Sequence, residues 1–223
     1  METVLNKFTC NDVPCNSDDL FINHNIPNVK YDSIPMQQRH DISDAFNKLI
    51  KFTKPKRVIE IGTADGGLTL LLRDLLNNNE LNDTDLYTYD IRHQGMLISK
   101  VNEQNLNIQV KHEDIFNEDH TLKNEELIKN FIQGEGTTII LCDGGDKINE
   151  FKTLSKYLKK GDVIMAHDYS YDREYYDKHI HNKIWYWLEI QNSDIEQTCY
   201  ENSLLDLMVD DFNKVVWCCK IKV

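Results

Sequence analysis

The sequence predicts an open α/β fold: a mostly parallel sheet of seven strands, helices on both faces, and a C-terminal antiparallel strand pair. Three observations predict it. Short apolar runs alternate with helix-period segments from Arg57 to Asp168. The first run breaks into a glycine turn that leads directly into a helical pattern. The last two strand-like runs follow one another with no helix between them.

Residues 1–35 are polar and punctuated by Pro14 and Pro27, and read as an irregular or short-helical leader set before a domain of residues 36–223. From Gln37 to Phe52 the apolar positions Ile42, Ala45, Phe46, Leu49 and Ile50 recur at helical spacing, and "KPK" stops that helix. Strand-like runs follow: "RVIEIG" (57–62), "LYTYDI" (86–91), "NIQVKHED" (107–114), "TTIILCD" (137–143) and "DVIMAHD" (162–168). Helical patterns near 67–77, 95–104, 121–132 and 147–159 separate them, which implies right-handed crossovers and parallel pairing. An aromatic helix over about 172–190 places Tyr176, Ile180, Ile184, Trp187 and Leu188 on one core face. Tyr169, Tyr171 and Tyr175 fall nearest the strand ends, as a lid or substrate wall, while His179 and His181 read as solvated. The strands "IEQTCY" (195–200) and "KVVWCCKIK" (214–222) complete the sheet. A ligand is expected at the carboxyl ends of the parallel strands.

Composition narrows the function classes. A chain of 223 residues, 40% hydrophobic and 28% charged, can bury a full core. A formal charge of -12 disfavours a nucleic-acid backbone or an anionic membrane as main partner and leaves a small-molecule substrate. No apolar run of about eighteen residues appears, and the N-terminal stretch lacks a continuous apolar segment, so a cytoplasmic location is expected. The leader is long enough to cross to a second subunit of a homo-oligomer. Of six cysteines, Cys142, Cys199, Cys218 and Cys219 lie in apolar runs; Cys10 and Cys15 lack CxxC spacing, and all are expected reduced.

The glycine turn "VIEIGTADGG" limits the ligand. A nucleoside-triphosphate loop ends in Gly-Lys-Ser/Thr, whereas Leu68 follows Gly67 here. Gly62, Ala64 and Gly67 approximate a dinucleotide fingerprint, with Asp90 available for a ribose, so an NAD-dependent oxidoreductase is one reading. A non-catalytic binding module is another. Glu60 discriminates: a carboxylate beside the cradle opposes a pyrophosphate but complements the ammonium and sulfonium of S-adenosylmethionine.

This turn, followed by "YDI" at the next strand end, resembles class I S-adenosylmethionine-dependent methyltransferases, which have a Rossmann-like sheet. The form "EIGTADGG", preceded by "IPMQQRHDISDAFNKLIKFTKPK", is similar to the cephalosporin hydroxylase/rhamnosyl O-methyltransferase group, and the later strand ends resemble macrocin-type and catechol O-methyltransferases. The resemblance spans about residues 35–223. It implies S-adenosylmethionine as cofactor, with Glu60, Gly62, Thr63, Ala64 and Gly66 along its methionine part. It places Asp90 and Ile91 at the ribose, Asp114 near the adenine, and Asp143 beside the cofactor. It further implies O-methylation of a hydroxyl on a sugar, a polyketide-like molecule or a catechol-like ring.

Two later strand ends, "LCDGGDK" and "MAHDYS", carry Asp143, Asp146, Lys147, His167 and Asp168. Neighbouring strand ends converge beside the crevice, and oxygen-rich clusters there hold a hard divalent cation. The metal-dependent relatives that this pattern resembles place their ligands where Asp143, His167 and Asp168 stand. His167 replaces an acid or amide, which suits Mn²⁺, Fe²⁺ or Zn²⁺ better than Mg²⁺. With a metal, Asp146 or Lys147 would remove the acceptor's proton. Two other readings stay open: His167 as a metal-free general base, or Asp143 and Asp168 as helix caps only.

Overall fold

The computed structural model of the protein describes residues 2–15 and 28–223. Pro27 lies outside them. The leader is more regular than its composition suggests. Strands β1 (Phe8–Cys10), β2 (Val13–Pro14), β3 (Val29–Tyr31) and β4 (Ile34–Pro35) form an antiparallel sheet in the order β2-β1-β3-β4. The turns at Asn11-Asp12 and Asp32-Ser33 hold both central residues at positive φ, the geometry that matches the twist of two-residue hairpins. Phe8, Tyr31 and Ile34 enter the main core, and Lys7 Nζ and the Tyr31 hydroxyl both donate to Asp74 at 2.6 Å.

The β1–β2 hairpin brings Cys10 and Cys15 together as a disulfide with Cα atoms 4.9 Å apart, so these two are not the reduced thiols expected. Their sequence spacing does not reveal that the chain doubles back between them. Cys142, Cys199, Cys218 and Cys219 are free.

The main sheet contains β5 (Arg57–Ile61), β6 (Asp85–Asp90), β7 (Gln109–His112), β8 (Thr138–Cys142) and β9 (Val163–Ala166). Two short strands, β10 (Tyr169–Ser170) and β11 (Ile190–Gln191), pair with each other in parallel beside it. Then β12 (Leu204–Asp206) and β13 (Cys218–Lys222) give the order β12-β13-β9-β8-β5-β6-β7. Strands β5 to β9 are mutually parallel where they pair, and β13 runs antiparallel to both β9 and β12. This is the expected Rossmann-like sheet with its antiparallel pair.

Side chains alternate between two core layers along each strand. Val58, Ile139 and Leu141 face the layer built with helices Ile42–Thr53 and Gly67–Asn78; Ile59, Ile61, Ile140 and Cys142 face Phe151, Leu154 and Ile195. Burial on both faces explains why these strands read as continuous apolar runs.

Three elements differ from the sequence reading. Residues 195–200 are helical, within Asn192–Glu201, with Ile195 buried and its neighbours toward solvent: the period is 3.6, not 2. Asp194 Oδ2 accepts the Gln191 amide at 2.7 Å and caps that helix. The expected aromatic helix breaks after one turn, Arg173–Tyr175, and one wider turn, Tyr176–Ile180. The pairing of β10 with β11 forces residues 171–189 into an excursion rather than a rod. Finally, the helix expected from Gln37 begins at Ile42, which frees Gln38 for the site. Among the described residues, no helix is long and apolar enough to cross a membrane.

Candidate active site at the carboxyl ends of the strands

Strand β5 pairs with β6 on one side and β8 on the other, so the crossovers leave in opposite directions and open a crevice at its end. A cavity of about 620 Å³ lies there. Its wall includes Pro35–Gln38, where the leader passes into the domain, and Gly67 is what permits that approach: a Cβ on it would stand 2.6 Å from Pro35 O.

The glycine turn is fixed by backbone contact. Gly62 has φ +89, its amide donates to Tyr89 O at 2.8 Å, and an added Cβ would lie 2.1 Å from the carbonyl oxygen of Asp143. Ala64, also at positive φ, donates its amide to Asp90 Oδ2 at 2.8 Å, while Arg92 N donates to Asp90 Oδ1 at 2.8 Å. Asp90 thus ties the turn to the end of β6 and still carries free lone pairs. Thr63, Ala64, Asp90, Ile91 and Asp114 line the cavity, Ile91 as a largely exposed side chain and Asp114 with Oδ1 accepting the Phe116 amide at 2.9 Å. Gly66 caps the helix Gly67–Asn78.

Glu60 is fully buried at the cavity floor. Its Oε2 accepts from Thr69 Oγ1 at 2.5 Å and Thr88 Oγ1 at 2.6 Å, and its Oε1 has no partner among the described residues. Burial pushes this carboxyl up to about 8, against the lowering effect of the two hydroxyls.

At the ends of β8 and β9 the structure brings Asp143, Lys147, His167 and Asp168 together. His167 Nδ1 lies 3.0 Å from Asp143 Oδ1 and 3.6 Å from Asp168 Oδ1. Lys147 Nζ lies 3.1 Å from Asp168 Oδ2 and 3.7 Å from Asp143 Oδ1. Burial raises the Asp143 carboxyl, with the His167 charge opposing. Burial alone would lower His167, but the charges of Asp143 and Asp168 outweigh it and the net shift is upward. Burial would raise Asp168, but His167 and Lys147 hold it low. Asp143 and His167 therefore titrate as one coupled pair. Lys147 is shifted upward: Asp143, Asp168 and Glu189 overcome the lowering effect of burial, which opposes any role as a neutral base. Asp146 stands apart from this group. It caps the helix Lys147–Leu154 through Asn149 N at 3.2 Å and faces His120 at 3.0 Å.

Several participants were not legible in the sequence. Gln38 Nε2 donates to Asp143 Oδ2 at 2.7 Å, and its Oε1 accepts the Trp217 indole N–H at 2.9 Å. The imidazole of His167 stacks on Trp217 at 4.9 Å, and its Nε2 is buried without a partner among the described residues. The aromatic excursion supplies Trp185, whose Nε1 donates to Asp168 Oδ1 at 2.5 Å, and Glu189, whose Oε2 lies 2.6 Å from Lys147 Nζ. Trp187 is half exposed on the cavity wall rather than in the core, and Trp185 takes the core place beside Tyr176 and Ile180. Tyr169, Tyr171 and Tyr175 are not among the lining residues. Glu150 accepts the amides of Gly144 and Asp146 and fixes the loop after β8.

The donor chemistry of Asp143, His167 and Asp168, with ligand atoms within 4.8 Å of one another, is that of a borderline divalent cation. In this arrangement, however, all four carboxylate oxygens are engaged, by His167, Gln38, Trp185 and Lys147. These oxygens keep further lone pairs, so what opposes such an ion is the ammonium of Lys147 placed among them.

The seven-stranded sheet with its terminal antiparallel pair defines an open, Rossmann-like fold. No family model and no curated protein matches the sequence. Among solved structures, the chain is similar to the apo structure of CmcI at 15% identity and a TM-score of 0.61, over 87% of this chain and 76% of that one. It is also similar to CmcI with Mg-SAM (13%, TM-score 0.56, 86% and 76%). A third is an O-methyltransferase family protein from Burkholderia thailandensis (10%, TM-score 0.51, 81% and 55%). At these identities the likeness is one of fold.

Proposed function

We propose that the chain is an S-adenosylmethionine-dependent O-methyltransferase acting on a small molecule. The observation that carries this reading is the unpartnered, fully buried Oε1 of Glu60 beneath the glycine turn. A buried carboxyl oxygen with no partner is costly unless a ligand supplies one. The ammonium of S-adenosylmethionine does so and favours the ionised form, whereas the pyrophosphate of a dinucleotide opposes that form.

In this reading Gly62, Thr63, Ala64 and Gly66 follow the methionine part, Asp90 and Ile91 the ribose, and Asp114 the adenine. The cavity volume is in the range that holds a cofactor of this size with a small acceptor. Methyl transfer breaks the S–CH₃ bond as the O–CH₃ bond forms and releases S-adenosylhomocysteine. The sulfonium is already an activated leaving group, so the protein has to align the acceptor oxygen and take its proton. The coupled pair Asp143–His167, held by Gln38 and Trp217, is the proton acceptor. Trp185 and Trp187 form the acceptor wall.

Calorimetry with S-adenosylhomocysteine and with NAD tests the reading. Binding of the former alone is expected. Tight NAD binding with no response to S-adenosylhomocysteine would replace it with the dehydrogenase reading.

A further inference from the structure

We infer that the ammonium of Lys147 takes the place of a divalent cation at the Asp143–His167–Asp168 cluster, so that this chain holds no such ion there while the lysine is present. Four oxygens surround Lys147 Nζ: Glu189 Oε2 at 2.6 Å, Gly144 O at 3.0 Å, Asp168 Oδ2 at 3.1 Å and Asp143 Oδ1 at 3.7 Å. They come from the end of β8, the end of β9 and the aromatic excursion, an arrangement of hard donors that also suits a metal ion. The lysine side chain is only 5% exposed.

Its position is a second, separate observation. Lys147 is the first residue of the helix Lys147–Leu154, where the unpaired amide N–H groups disfavour a positive charge. A cation at this helix start is stable only if a stronger negative field holds it, and the three carboxylates provide that field. The pieces that deliver the oxygens are themselves fixed. Glu150 accepts the amides of Gly144 and Asp146 and so sets the loop that presents Gly144 O. Glu189 N donates to Asp168 O at 3.0 Å, which registers the excursion against the end of β9. A divalent ion entering among these oxygens would meet the ammonium as a like charge in a buried space. Ion binding at this cluster depends neither on the identity of the cofactor nor on turnover.

Mn²⁺ binding by the full chain, read from the free-ion paramagnetic resonance signal and by calorimetry, tests it. The unaltered protein is expected to retain no Mn²⁺ at this cluster up to about 1 mM. Lys147→Met should bind one Mn²⁺ at least about tenfold more tightly, and adding Asp168→Asn to that variant should abolish the gain. Lys147→Arg, which keeps the charge, should stay without the ion. If Lys147→Met is unfolded in chelator, Mn²⁺ is expected to restore its melting transition, because ligand binding to the folded state stabilises it. One Mn²⁺ held at micromolar level by the unaltered protein, and lost with Asp168→Asn, would overturn the inference. So would a folded Lys147→Met that gains no affinity, or an unfolded one that Mn²⁺ fails to rescue.

Discussion

Trp217 and Asp143 are joined through a single side chain: Gln38 accepts the Trp217 indole N–H at 2.9 Å and donates to Asp143 Oδ2 at 2.7 Å. The amide can serve both because it carries an acceptor and a donor, and its near-complete burial fixes which is which. Gln38 therefore sets the orientation of the carboxylate and of the imidazole beside it.

Gln38→Leu keeps the volume but leaves a buried indole N–H and a carboxylate oxygen without a partner. A stability loss of about 1–3 kcal/mol is expected from urea titration. Turnover should fall further than the loss of folded protein explains, while affinity for S-adenosylhomocysteine changes little. Equal losses in both would show that Gln38 acts through the fold alone.

Gly62→Ala should be among the most damaging single-methyl changes in the chain. The new Cβ would meet the Asp143 carbonyl at 2.1 Å, and the backbone already sits at φ +89. Strain at such a position costs about 1–3 kcal/mol before any clash is relieved. Separating β5 from β8 to relieve it would displace both the glycine turn and Asp143. Loss of S-adenosylhomocysteine binding in a still-folded variant is the expected result, checked by calorimetry beside a melting curve.

The disulfide gives a third test. Cys10 and Cys15 enclose a short loop, so cross-linking removes little unfolded-state freedom. Cys10→Ser with Cys15→Ser should lower stability by about 2 kcal/mol on loop-entropy grounds. The leader packs against the helix Gly67–Asn78 through Tyr31, Lys7 and Asp74, so the change should be read in the main unfolding transition rather than in a separate one. A variant as stable as the unaltered chain under oxidising conditions would show that the bridge adds nothing.

What the sequence made legible follows from period and ligand chemistry. Strands β5, β8 and β9 are buried on both faces, so their apolar runs stood out, and the glycine turn announced its own geometry. Asp143, His167 and Asp168 were readable because each follows a strand end. Gln38, Trp185 and Glu189 were not, since nothing local distinguishes them: they reach the site through the segment before one helix and through an excursion whose shape depends on β10 pairing with β11. The stretch 195–200 reads as a strand because two β-branched residues and an aromatic weigh that way, while burial of Ile195 on one side imposes helical period.

Glu60 supplies the prediction in which sign matters most. Its folded pKa, about 8, lies above the ordinary glutamate value of 4.5, so the folded protein holds a proton there that the unfolded chain releases. The stability from that proton is fully present below pH about 4.5 and is lost as pH rises through about 8. Without ligand, Glu60→Gln should flatten this part of the stability profile. Binding reverses the preference, because an ammonium beside Oε1 favours the ionised carboxylate. Near pH 7 the protein should therefore release a proton when it takes up S-adenosylhomocysteine, and affinity should weaken as pH falls further below 8. Calorimetry in two buffers of different ionisation enthalpy reads that proton directly. In Glu60→Gln the buffer dependence should vanish and affinity should drop at every pH, since the amide cannot offset the ligand's charge. Proton uptake, or a buffer dependence unchanged by the substitution, would remove Glu60 from the cofactor site.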